Sequence, residues 1–148
     1  ANCSIPTAPR CNSSPCFPPI DPNVVAGSQE VLKSQTSDNI AATIVWLPMF
    51  AGDDGDRAAV RAAEYEDDRL TYLWDPGRIT GNLWQSTLGF DAVAWDVYLL
   101  YRAGVEWQGD SLPEPDYWMH QLWGVDGPRL DKDVFAGKLD QLVPAPGQ

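Results

Sequence analysis

Three cysteines and one histidine carry the most specific chemistry in this 148-residue chain. Cys3, Cys11 and Cys16 all fall within the first sixteen residues, and His120 is the only histidine. Two thiolates and an imidazole are soft-to-borderline ligands, so Cys11, Cys16 and His120 form a candidate site for copper or zinc. Cys11 and Cys16 are also a candidate redox dithiol. That role requires a strained or exposed bridge and a lowered thiol pKa, and the basic neighbour available is Arg10. The plainer reading is a structural disulfide that holds the N-terminal arm, with Asn12-Ser13-Ser14-Pro15 supplying turn residues between Cys11 and Cys16. Cys3 pairs as readily with either of the others, so the pairing stays open. His120 then becomes a histidine hydrogen-bonded among Tyr117, Trp118 and Trp123, and Met119 becomes core filler.

The acidic residues offer less. Asp53, Asp54 and Asp56, with Glu64 beyond them, have part of the spacing of a calcium loop, but Gly55 stands where the third position needs an oxygen. Helix capping accounts for these carboxylates better. Asp75 and Asp96 each follow a tryptophan, and Asp75 suits a turn cap. No nucleophile elbow, phosphate loop or zinc-protease helix occurs. No residue pattern names a reaction, and a non-enzymatic role is expected.

Composition bounds the partners. The net charge of −11 argues against nucleic acid, because phosphate binding needs clustered Lys and Arg. With three lysines (Lys33, Lys132 and Lys138) there is no polybasic patch for a membrane surface, and no apolar run approaches a membrane span. Ala1-Asn2-Cys3-Ser4 is compatible with a signal peptide already removed, and the cysteines suit an oxidising compartment. A periplasmic or extracellular location is therefore expected. Asn2 and Asn12 sit in N-glycosylation acceptor patterns, which matter only in a eukaryotic source. Seven tryptophans supply large apolar surfaces whose N–H groups need partners, which suits core edges and interfaces.

Residues 1–20 read as an irregular Pro/Cys-rich arm, 21–143 as one folded domain and 144–148 as a disordered tail. Asp21-Pro22 starts a helix that runs to about Ser34. The apolar run from Ile40 to Met49 predicts a strand buried on both faces. A helix from Arg57 to about Glu66 follows, then a strand over Leu70 to Trp74. A helix from Ile79 to Leu88 ends at Gly89. Ala94 to Tyr101 is a strand, Arg102-Ala103-Gly104 a tight turn, and Val105-Glu106-Trp107 its hairpin partner. After a polar loop and the run from Tyr117 to Trp123, an amphipathic helix spans about Leu130 to Leu142. Its Val134, Phe135, Leu139 and Leu142 face the core.

Parallel strands joined by helices, then an antiparallel hairpin and a closing helix, give an order that resembles the thioredoxin-like fold after its first strand. Ile44-Val45-Trp46-Leu47-Pro48-Met49, Trp74-Asp75-Pro76, the stretch from Trp95 to Tyr101 and Trp118-Met119-His120-Gln121 are similar to uncharacterised bacterial thioredoxin-like domains. The resemblance implies an α/β three-layer sandwich with a central mixed sheet, preceded here by the irregular cysteine arm. Oxidoreductases of that family use C-x-x-C at a helix start, where the dipole lowers a thiol pKa. This chain has C-x4-C ahead of Pro18 and Pro19, and Val93-Ala94-Trp95 lacks the family's cis-proline. Thioredoxin-like copper-delivery proteins pair C-x3-C with a distant histidine, a layout that Cys11, Cys16 and His120 approach.

The expectation is thus an exported thioredoxin-like binding or accessory module without ordinary oxidoreductase activity and without a cofactor. Trp107, Trp118 and Trp123 are its candidate contact surface for a protein partner. The alternative is a redox or copper-handling protein that uses Cys11, Cys16 and His120.

Overall fold

The computed structural model describes residues 31–35, 37–107 and 112–143. The chain has both helices and strands, in two compact units. One contains Ala41–Trp95, and the other contains the described residues of 31–40 and 96–143.

In the first unit, strand β1 (Ala42–Trp46) pairs in parallel with β2 (Leu70–Trp74), in a register running from Ala42↔Leu70 to Trp46↔Trp74. Parallel neighbours need a crossover, and helix α1 (Gly55–Ala63) lies within it. Asp54 caps α1 by accepting from the Arg57 N–H at 2.9 Å, so the acidic cluster does serve as a helix start. The helix begins two residues before the expected Arg57 and stops short of Glu66. β1 is likewise shorter than its apolar run, and Thr43 is exposed. The expectation of a strand buried on both faces is corrected to a half-buried strand.

Helix α2 (Ile79–Leu88) ends as its sequence indicates, with Gly89 in the left-handed region at φ 72°. Its first turn packs closely. A Cβ on Gly81 would stand 2.6 Å from Val93 Cγ1 and 2.9 Å from the Ala94 carbonyl oxygen, and the Gly81 carbonyl accepts from the Ala94 N–H at 3.0 Å.

In the second unit, β3 (Val97–Leu100) pairs antiparallel with β4 (Tyr117–His120), with Val97 opposite His120 and Leu100 opposite Tyr117. This corrects the expected hairpin. Val105, Glu106 and Trp107 form no strand and are exposed, although the turn ahead of them exists, with Gly104 at φ 86°. Three residues with Val105 38% and Trp107 45% exposed bury too little to compete with Tyr117–His120, where Met119 is 2% and His120 0% exposed.

Helix α3 (Lys132–Leu142) is capped by Asp131, which accepts from the Asp133 and Val134 N–H groups at 3.0 Å. Phe135 and Leu139 enter the core, whereas Val134 is 44% exposed, contrary to expectation. Val31, Leu32, Ile40, Leu100, Leu112 and Leu122 complete the buried set of this unit. Among the described residues the strands pair as β1-β2 and β3-β4, each a two-stranded sheet. Among the described residues no helix is long and apolar enough to cross a membrane.

Candidate functional site

His120 ends β4 and is wholly buried, and each of its polar groups that has a described bond serves one loop. Its backbone N–H donates to the Pro128 carbonyl at 3.0 Å, and its carbonyl accepts from the Leu130 N–H at 2.9 Å. Its Nδ1 accepts from the Leu122 N–H at 3.1 Å. Residues 121–129 therefore leave the strand at His120 and return to it. Gln121 adds a bond from its N–H to the Asp96 carbonyl at 3.1 Å.

Trp118 fills the base of this loop. Its ring lies 5.8 Å from the His120 ring, and a Cβ on Gly127, which has φ 144°, would stand 2.4 Å from Trp118 Cη2. Only glycine has both the backbone freedom and the absence of a side chain that this approach requires. At the other end of the loop Trp123 is 92% exposed. The Arg129 guanidinium lies over its ring at 5.5 Å, and Arg129 Nη1 donates to the Leu122 carbonyl. The guanidinium thus faces one side of the indole while bonded to the backbone beside it, and the ring is otherwise open to solvent.

Trp107 sits on the β3–β4 connection and is 45% exposed. The neck of that connection is closed by Arg102 and Asp116. The Asp116 carboxylate accepts the Arg102 N–H at 2.8 Å and meets its guanidinium at 2.6 Å, and Tyr101 Oη donates to the Pro113 carbonyl at 3.3 Å. The Arg102 N–H and guanidinium hold the Asp116 carboxyl below its ordinary range, against a smaller effect of burial. Burial, and then the Asp116 charge, push the Tyr101 hydroxyl up.

The expected site residues fall into two groups. Trp118, His120 and Trp123 come together on one strand end and its loop. Cys3, Cys11 and Cys16 lie outside the described residues, so the redox and copper readings rest on sequence. His120 meets a metal only through Nε2 while Leu122 occupies Nδ1. Among the described residues no group of three or more His, Cys, Asp or Glu is arranged to hold a metal. Sequence reading missed Gly127 and Arg129, although Gly124-Val125-Asp126-Gly127-Pro128 carries the composition of a turn.

The carboxyl ends of parallel strands are the other usual place for a ligand. Here the loops after β1 and β2 consume their own carboxylates. Asp53 accepts from the Phe50 N–H at 2.7 Å and Asp54 caps α1. Asp75 is 6% exposed, and its Oδ2 accepts from both the N–H and the hydroxyl of Thr80 at 2.7 Å. Burial works to raise the Asp75 pKa, but the bonds from Thr80, Ile79 and Gly77 outweigh it and lower the value. These acids build turns, as their sequence positions indicate.

No protein-family model, no curated protein and no solved structure matches the chain.

Proposed function

We propose that this chain is an exported, thioredoxin-like binding or accessory module that engages a protein partner through Trp123. Its cysteine arm is held by a disulfide, and it works without ordinary oxidoreductase activity. The observation that carries the reading is the 92% exposure of an indole whose loop is built with care for its position. A large aromatic left in water costs free energy, and rigid exposed tryptophans are the residues most enriched at binding hot spots. Support for the thioredoxin-like order comes from the pairings within each unit, a parallel pair with a helical crossover and an antiparallel pair followed by a helix. The charge of −11 favours a partner with basic groups and disfavours nucleic acid.

Photo-crosslinking tests this. A benzophenone amino acid placed at position 123 of the full chain is irradiated in the secreted fraction of the source organism. A discrete protein adduct, suppressed by excess wild-type chain and not by Trp123→Ala, is expected. An accessible position 123 that yields no specific adduct removes the reading.

A further inference from the structure

We propose that the bond between Asp126 and Gly127 is a site of spontaneous modification, where the aspartyl peptide isomerises to isoaspartyl and loosens the loop that carries Trp123. The proposal holds whether or not Trp123 meets a partner.

The chain has two Asp-Gly pairs, Asp54-Gly55 and Asp126-Gly127, and no Asn-Gly. Glycine offers the least hindered amide nitrogen, and its backbone freedom lets that nitrogen reach the side chain before it. The two pairs are held in opposite ways. The Asp54 carboxylate accepts from the Arg57 N–H at 2.9 Å and lies 3.9 Å from the Arg57 Nε. The Asp54 carbonyl accepts from the Ala58 N–H at 3.1 Å, and Gly55 is the first residue of α1. Attack there requires the start of the helix to open. Asp126, Gly127 and Pro128 are all exposed. Among the described residues neither the Asp126 carboxylate nor the Gly127 N–H has a hydrogen-bond partner. The bonds to His120 fall on either side of this pair, at Leu122, Pro128 and Leu130, so rotation at residue 126 breaks no hydrogen bond of its own.

The reaction needs no reagent but water. The Gly127 nitrogen attacks Asp126 Cγ, a C–N bond forms, and the amide proton leaves with the carboxyl hydroxyl as water. Water then adds to the Asp126 main-chain carbonyl of the cyclic imide and breaks its bond to the Gly127 nitrogen. The chain now runs through Cβ and Cγ, one atom longer, beside a free α-carboxylate. That atom has no slack to enter, because His120 bonds to Leu122 at one end of the loop and to Pro128 and Leu130 at the other. A Cβ on Gly127 would stand 2.4 Å from Trp118 Cη2, so residue 127 does not absorb the added length against that ring. The length goes outward into residues 123–126, and the Trp123 ring moves off the Arg129 guanidinium that now lies 5.5 Å from it.

The test ages the full-length chain in warm neutral buffer and maps isoaspartate at both pairs by electron-transfer fragmentation of its peptides. Isoaspartate should accumulate about fivefold or more faster at 126 than at 54, the ratio set by opening one helix cap. In guanidinium chloride, where the cap is gone, the two rates should converge. The Trp123 indole N–H resonance, identified by Trp123→Phe in nitrogen-15 NMR, should shift in the isomerised fraction. It should stay in place in equally aged Asp126→Glu, whose longer side chain closes the imide ring poorly and whose exposed position leaves folding undisturbed. Equal rates at the two pairs in the native chain, or no isoaspartate at 126, overturn the proposal. So does an isomerised chain whose Trp123 resonance has not moved.

Discussion

The loop after β1 and the loop after β4 each put an aromatic ring into water, and they are held in opposite ways. Phe50, 52% exposed, rides on a turn closed within four residues. Its N–H donates to the Asp53 carboxylate, its carbonyl accepts from the Asp53 N–H at 3.1 Å, and its ring meets Trp95 edge-on at 5.5 Å. Trp123, 92% exposed, rides on a loop closed by His120, a strand residue whose backbone and ring bond to positions between two and ten residues away. One loop is fastened by its own side chains and the other by the core. The first is therefore vulnerable to a single surface substitution, the second to anything that disturbs β4.

The largest expected effect breaks the core-fastened loop. His120→Ala empties a wholly buried site and strands the Leu122 N–H, and should cost about 2–4 kcal/mol in urea unfolding. Gly127→Ala drives a methyl into Trp118 at a backbone angle that alanine resists, for about 2–3 kcal/mol. If either variant unfolds at the wild-type urea midpoint, the loop is not anchored as described.

A smaller loss is expected where a carboxylate fastens its own turn. Asp75→Ala leaves the buried Thr80 N–H and hydroxyl without their acceptor and should cost about 1–3 kcal/mol. Hydrogen exchange should quicken in the first turn of α2 and stay unchanged in β3 and β4. Equal quickening throughout would show that the turn is not locally fastened.

Removing the cation from the indole should hardly touch stability. Arg129→Ala forfeits an exposed cation–π contact and a bond to the Leu122 carbonyl, together about 0.5–1.5 kcal/mol. It should nevertheless broaden the Trp123 indole resonance, because the ring loses its support. A sharp, unshifted resonance would mean that Arg129 does not fix it.

The smallest effect concerns pH. The Asp67 carboxyl is lowered from 3.8 to about 2, chiefly by hydrogen bonds from the Arg69 side chain and N–H. A carboxylate with a depressed folded-state pKa stabilises the fold above its ordinary value. That contribution is lost as pH falls from 3.8 toward 2. Wild type should therefore lose more stability than Asp67→Asn across that interval, and parallel pH profiles would count against the pairing. At Asp116 the sign is the same, so the Arg102–Asp116 closure should also loosen in acid.

Local chemistry made much of the first unit legible in the residues themselves. Asp54 ahead of Gly55, Asp75 ahead of Pro76-Gly77 and Gly89 after Leu88 act within a few positions of themselves, so their type and spacing announced a cap, a turn and a helix end. β2 and α2 were bounded correctly for the same reason. β3 could not choose its partner from its own residues. Val105-Glu106-Trp107 has the right distance and β-forming types, but pairing is decided by the core that Met119, His120 and Leu100 fill together. Val134 sits on the helical stripe of α3, yet it is the packing of Phe135 and Leu139 that sets the edge of the buried face.

The sequence by itself determined composition, charge, the capping carboxylates and most elements, because these depend on residue type and on neighbours along the chain. It also singled out Trp118, His120 and Trp123. Tertiary structure alone decided what they are to each other: a ring in the base of a loop, a buried histidine that anchors both ends, and an indole held out in water under Arg129. Those relations join residues across a loop through backbone bonds and burial, and neither leaves a mark in residue type or spacing.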